Sequence, residues 1–177
     1  MTTFINGERT RSSNKIFKPR QSSGWMWVGA IALVLLASGL YMLITYGFSG
    51  PFMLTILLTI PLGLVFLLIT VFFPTMRYEL GENRLILTYG PLLRYTIDLE
   101  QIKSIRRRDL KISPLSSFRF PGLAIFGVPY LEIGTVKMCA TAAGKDILLI
   151  ETASTKYGLT PANEEEFVAE LRARMKK

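Results

Sequence analysis

The chain has 177 residues, with 21 lysines and arginines against 13 aspartates and glutamates, one cysteine and no histidine. A single cysteine excludes an intrachain disulfide, and the absence of histidine removes the commonest general base and the commonest metal ligand, so most catalytic and zinc-binding schemes lose their central group. The net charge of +8 would suit nucleic acid, but it flanks an uncharged middle, as membrane insertion beside anionic lipid selects, so no nucleic-acid partner is expected.

Residues 1–24 read as a basic tail, in which Arg9, Arg11, Lys15, Lys18 and Arg20 face only Glu8. Between Arg20 and Arg77 no side chain is charged. Inside that gap, Trp25 to Ile44 and Pro51 to Phe73 are apolar runs, each long enough to cross about 30 Å of hydrocarbon at about 1.5 Å per residue. The uncharged, turn-forming link Thr45 to Gly50 makes residues 25–73 a two-helix transmembrane hairpin. Trp25, Trp27, Tyr41 and Tyr46 lie near the ends of the first run, and Phe72 and Phe73 near the end of the second, where aromatics favour the headgroup boundary. The first run is longer than a signal-peptide core and a second span follows at once, so it is expected to stay as an anchor. Basic flanks are retained in the cytoplasm, which places both termini on the cytoplasmic side of the cell membrane. Pro61 and Gly63 predict a kink in the second helix. With no ionisable group in the spans, an ion relay has no basis. Gly29, Ala30, Gly39 and Gly63 form no clean small-residue stripe, so an oligomer built on these helices stays open but unsupported.

From residue 74 onward the pattern changes to short β-branched and aromatic runs between turn signals, the signature of strands. Strands are expected at Arg77–Leu80, Arg84–Tyr89, Leu92–Leu99, Gln101–Asp109, Thr135–Ala142, Asp146–Thr152 and Lys156–Leu159, about seven in all. A closing helix is expected over 163–177. Asn163 and Glu166 have capping-box spacing, Glu164 to Glu166 suit the positive end of the helix dipole, and Arg172, Arg174, Lys176 and Lys177 suit the other end. Phe167, Val168, Leu171 and Met175 recur at helical spacing, a stripe that must be covered by the sheet.

The order and spacing of these segments resemble the bacterial pleckstrin-homology-like domains, particularly those tethered behind a transmembrane hairpin. The likeness runs from Tyr78 to Leu171 and rests on the first hairpin, on YGPLLRYTIDLEQIKSI at Tyr89 to Ile105, on a glycine-punctuated middle, and on YGLTPANEEEF at Tyr157 to Phe167. It implies a strongly bent antiparallel sheet, or partly open barrel, of about seven strands plugged at one end by the C-terminal helix. It brings no catalytic residue and no established ligand.

Three features invite functional readings. Arg106, Arg107 and Arg108, with Lys103, Lys111 and Arg119 nearby, are candidates for lipid headgroups or an acidic partner. Successive strand residues point to opposite faces, however, so three adjacent arginines do not converge on one phosphate without a bulge, and a solvated or lipid-facing edge is the simpler expectation. The apolar stretch Leu110 to Ile133 is too long for an ordinary turn. Its Phe118, Phe120, Leu123, Ile125, Phe126 and Val128 are expected to fold back onto the sheet, the alternative being an interaction surface. Cys139 on an anchored β-rich domain resembles the outline of a sortase, but that chemistry needs an imidazole the chain lacks, so a small buried hydrophobe is expected. No catalytic residue, metal ligand or cofactor site is expected.

The expected function is a non-enzymatic, membrane-anchored interaction module whose cytoplasmic domain positions a protein partner at the inner leaflet, assisted by anionic lipid. The alternative is an accessory or assembly subunit of a larger membrane complex, contacted mainly through the hairpin. The expected partners are the bilayer, crossed twice, and a protein whose identity the sequence does not name.

Overall fold

The computed structural model describes residues 14–48, 50–111, 113 and 119–175. A three-residue strand, β1 (Lys15–Phe17), comes before two long helices, α1 (Gly24–Tyr46) and α2 (Met53–Phe72). A single 3-10 turn, Phe73–Thr75, then leads into β2 (Arg77–Leu80), β3 (Arg84–Tyr89) and β4 (Leu93–Asp98), followed by β5 (Ile102–Arg108). The remaining strands are β6 (Arg119–Phe120), β7 (Leu123–Tyr130), β8 (Gly134–Ala140), β9 (Ile147–Thr152) and β10 (Lys156–Leu159), and α3 (Glu164–Met175) closes the chain.

Both long helices are apolar on every side. Only Gly24, Val28, Ala32 and Gly39 of α1 and Ile56, Gly63 and Ile69 of α2 are buried, while Leu33, Val34, Leu54, Leu58 and Val71 stay exposed. Each is long and apolar enough to cross a membrane. The buried small residues are the contact between the two helices. A Cβ on Gly39 would lie 2.7 Å from Ile60 and from Thr59, and one on Gly63 would lie 2.8 Å from Leu36. The glycines expected to leave dimerisation open are therefore used within the hairpin, where absent side chains let two backbones approach. Pro61 lies inside α2, which remains one continuous helix around it.

Among the described residues, the mainly-β part forms two sheets and no closed barrel. The first has the order β1-β2-β3-β4, and the second β5-β9-β10-β8-β7-β6. Nine strands follow the helices where about seven were expected; the two additions, β6 and β7, lie in the segment expected only to fold back. The pairing is not wholly antiparallel either, because β10 runs parallel to β8.

The tenth strand, β1, comes from the other side of the hairpin. It pairs antiparallel with β2, setting Lys15 opposite Leu80, Ile16 opposite Glu79 and Phe17 opposite Tyr78. Its alternation is that of an edge strand with one wet face: Ile16 is 60% exposed and Phe17 is buried. The Phe17 ring meets the Phe167 ring of α3 edge-on at 5.1 Å. Beyond the strand, Ala162 N–H donates to the Lys18 carbonyl at 3.0 Å and Arg20 N–H to the Thr160 carbonyl at 2.7 Å. Lys15 is 2.9 Å from Glu166, and Arg20 is 3.7 Å from Glu164. The basic tail thus uses two of its charges on the acidic first turn of α3.

One core joins all these elements. Tyr78, Leu80, Leu85 and Leu87 from the first sheet meet Leu123, Ile125, Cys139 and Ile150 from the second, with Phe167 and Leu171 from α3. Val28 of α1 and Ile69 of α2 belong to the same cluster. The Tyr78 hydroxyl ties the sheets together, donating to the Cys139 carbonyl at 2.8 Å and accepting from Thr160 N–H at 3.3 Å. The opposite face of the second sheet has its own core, in which Leu110 covers Ala124, Val128, Val136 and Leu149.

Phe17→Ala removes a buried ring, so the β unit should lose about 3–5 kcal/mol of stability. Ile16→Ala, on the exposed face, should change it by less than about 0.5 kcal/mol. Thermal unfolding of the full chain in detergent compares the two.

Candidate interaction surface

The candidate arginines lie on β5, at the edge of the second sheet. Pairing with β9 is regular there, with Arg106 opposite Leu149, Arg107 opposite Leu148 and Arg108 opposite Ile147; the one irregularity comes earlier, between Ile102 and Ser104. Adjacent arginines therefore alternate between faces. Arg107 binds Asp146 through Nη2 at 2.8 Å and Nε at 3.1 Å, which holds its guanidinium above its usual pKa. Arg108 and Lys111 both reach Glu132, each at 3.0 Å, and the hydrogen bond and charge of Lys111, with Arg108, keep that carboxyl below the usual range. Lys103 and Arg106 are exposed. Arg119 lies in β6 opposite Ala124, and its side chain is outside the described residues. Among the described residues, Arg107 on one side and Arg108 with Lys111 on the other are thus held by separate carboxylates.

The apolar candidates are divided as well. Leu123, Ile125 and Val128 are fully buried in β7, so their contribution is to packing. Phe126 is half-buried against the shared core, with φ of 65°, a left-handed conformation that bulky residues seldom adopt. Phe118 lies outside the described residues. Phe120 has a different neighbour: its ring meets that of Phe66, inside α2, edge-on at 5.5 Å. The β6–β7 turn also lies against the start of α1, where the Ser22 hydroxyl donates to the Gly122 carbonyl at 2.7 Å and Gly24 abuts Gly122. On the other side of the hairpin base, the Tyr89 hydroxyl donates to the Ile69 carbonyl of α2, and Gly90 abuts the Phe72 ring. Two turns thus grip the helices, a contact that strand and helix patterns did not forecast. The aromatic of Phe120 beside a Pro-Gly turn is its only trace in the sequence.

Among the described residues, no group of three or more histidine, cysteine, aspartate or glutamate side chains could hold a metal ion. A cavity of about 570 Å³ is a groove between the β2–β3 turn and the end of α3, lined by Glu82, Asn83, Leu99, Glu170 and Arg174 among others. Arg174 there is held by Glu170 at 2.9 Å and by the Leu80 carbonyl at 2.8 Å, so it helps fix α3 to the sheet. Cys139 is fully buried, and burial pushes its thiol up to about 12.

The model of the bacterial PH domain family matches residues 76–175, more than half of the chain. The chain belongs to the bacterial PH domain family. Searches of curated proteins and of solved structures each found no match. A bacterial PH domain is a lipid or protein interaction module, and here its matched region begins at the last residue before β2. The strand β1, which completes the first sheet, lies outside that region, on the far side of both long helices.

The setting of Cys139 gives a pH prediction. Its folded pKa lies above that of a free thiol, about 8.5, so its contribution to stability is present below that pH and declines as pH rises toward 12. Iodoacetamide at pH 8 should leave the folded chain unmodified and alkylate it once after denaturation, as read by intact mass.

Proposed function

We propose that this bacterial PH protein is a non-enzymatic interaction module anchored by a two-span hairpin, holding its β unit at the inner leaflet to position a protein partner, with anionic lipid assisting. The observation that carries this reading is the pairing of β1 with β2. The strands on either side of the hairpin are hydrogen-bonded neighbours, so the β unit is built onto its base without a flexible linker.

Several features support the anchor. Apolar side chains cover the outside of both helices, a surface that water would penalise and hydrocarbon would not. Trp25 and Trp27 are exposed at the start of α1 and Tyr46 at its end, suited to the two headgroup boundaries. The basic residues on the β side of the hairpin favour a cytoplasmic β unit, and with it residues 1–24, 25–73 and 74–177 as tail, hairpin and PH unit. The tail then serves two purposes, as a retention signal and as the source of the first strand. The surface left for a protein is the β5 edge of the second sheet, where Lys103 and Arg106 are exposed.

Photo-crosslinkers placed singly at Lys103 and at Leu58 of the full chain, in native membranes, test where binding resides. A discrete protein adduct from position 103, absent from position 58, is the expected result; adducts from position 58 alone would transfer the contact to the hairpin and overturn the proposal. Trypsin outside intact cells should leave the β unit whole, and its digestion there would refute the cytoplasmic placement.

A further inference from the structure

In the most conspicuous basic run of the sequence, Arg107 and Arg108 are answered by nearby carboxylates; a second set of basic side chains lies on and beside the first sheet. Arg77 of β2 stands opposite Thr88 of β3, and Thr88 opposite Arg94 of β4. The register of β1 ends with Phe17 opposite Tyr78, and Lys18, the next residue, follows at the end of that strand. Phe17, Tyr78 and Leu87 are buried on the inner face. Arg77 and Arg94, both in register with Thr88, are exposed on the outer face, and Lys18, next to Phe17, is exposed as well.

The height of this row is set by the helices. Arg77 comes two residues after the 3-10 turn that ends α2. Arg94 follows the β3–β4 turn, which is fastened to α2 through Tyr89 and Ile69 and through Gly90 and Phe72. Strands lie about 4.8 Å apart, so the row extends roughly 10 Å from Arg77 to Arg94 alongside the helix exit, within the sweep of long flexible side chains. Arg77 is engaged by Glu79 at 2.5 Å. Among the described residues, no carboxylate lies within 4.0 Å of the charged groups of Lys18 or Arg94.

We propose that Lys18, Arg77 and Arg94 form a cationic row that binds the headgroups of anionic phospholipid in the leaflet at the base of the hairpin. This deepens the functional reading and rests on its spanning hairpin: if α2 leaves the hydrocarbon near Phe73, the row lies at headgroup level. It assigns the lipid contact to the first sheet, and leaves the arginines of β5 to structural ion pairs and to the solvent side. The row selects charge and not headgroup shape, because its three groups are all exposed.

The full chain in nanodiscs of phosphatidylcholine with phosphatidylglycerol tests this by native mass spectrometry of the lipids retained on release. The expected result is selective retention of phosphatidylglycerol, reduced about fivefold for each charge removed in Lys18→Gln and Arg94→Gln. The triple variant Arg106→Gln, Arg107→Gln, Arg108→Gln should keep it. Equal retention of both lipids by the unaltered chain, or loss in the triple variant and not in the double, would overturn the row. A chain that does not enter nanodiscs would refute the spanning hairpin itself, a separate outcome from insertion without lipid preference.

Discussion

The structure depends on a β-ladder formed between segments that two long helices separate. Joining β1 to β2 closes a loop containing the whole hairpin, but loop-closure entropy grows only slowly with length, by about 0.6 kcal/mol for each doubling. Against that cost stand the backbone ladder, the burial of Phe17 against Phe167, and the backbone bonds that fasten Lys18 and Arg20 beside α3. The consequence is topological. A chain whose entry and exit strands are hydrogen-bonded neighbours must leave the hairpin on the side where it entered.

The same constraint makes the helix pair and the β unit one body. Val28 and Ile69 belong to the core that both sheets share, and the turns carrying Tyr89 and Phe120 seize α2 from two directions. A tilt of either helix would disturb the packing beneath the β unit. The orientation of each face relative to the helix axis is therefore fixed by packing. An interaction module on a flexible linker would have to find its surface by diffusion. Here the surface is already aimed.

Much of this was legible in the residues, and what was not has physical reasons. The hairpin was plain from uncharged length, and the strands from Arg77 to Leu99 from alternation between turns, because one face of the first sheet is wet. The strand Leu123–Tyr130 was hidden because both its faces are covered: Leu123 and Ile125 face the shared core and Ala124 and Val128 the second one, so it reads as an unbroken apolar run with Gly127 and Pro129 inside. The strand Lys15–Phe17 was hidden by its three-residue length and by basic neighbours that looked like a membrane-retention signal and nothing more. Pairing across strands also sets Arg77 and Arg94 on either side of Thr88, a proximity that adjacency in sequence does not show.

The central claim is that the flanks of the hairpin meet in register on one side of the membrane. Ile16 and Glu79 are opposite one another in that register, and paired residues on antiparallel strands have Cβ atoms about 4.5–5.5 Å apart, close enough for a disulfide. With Cys139 replaced by serine, Ile16→Cys and Glu79→Cys should crosslink within a single chain when native membranes are mildly oxidised. A chain that stays uncrosslinked, or that links only to a second copy, would contradict the account.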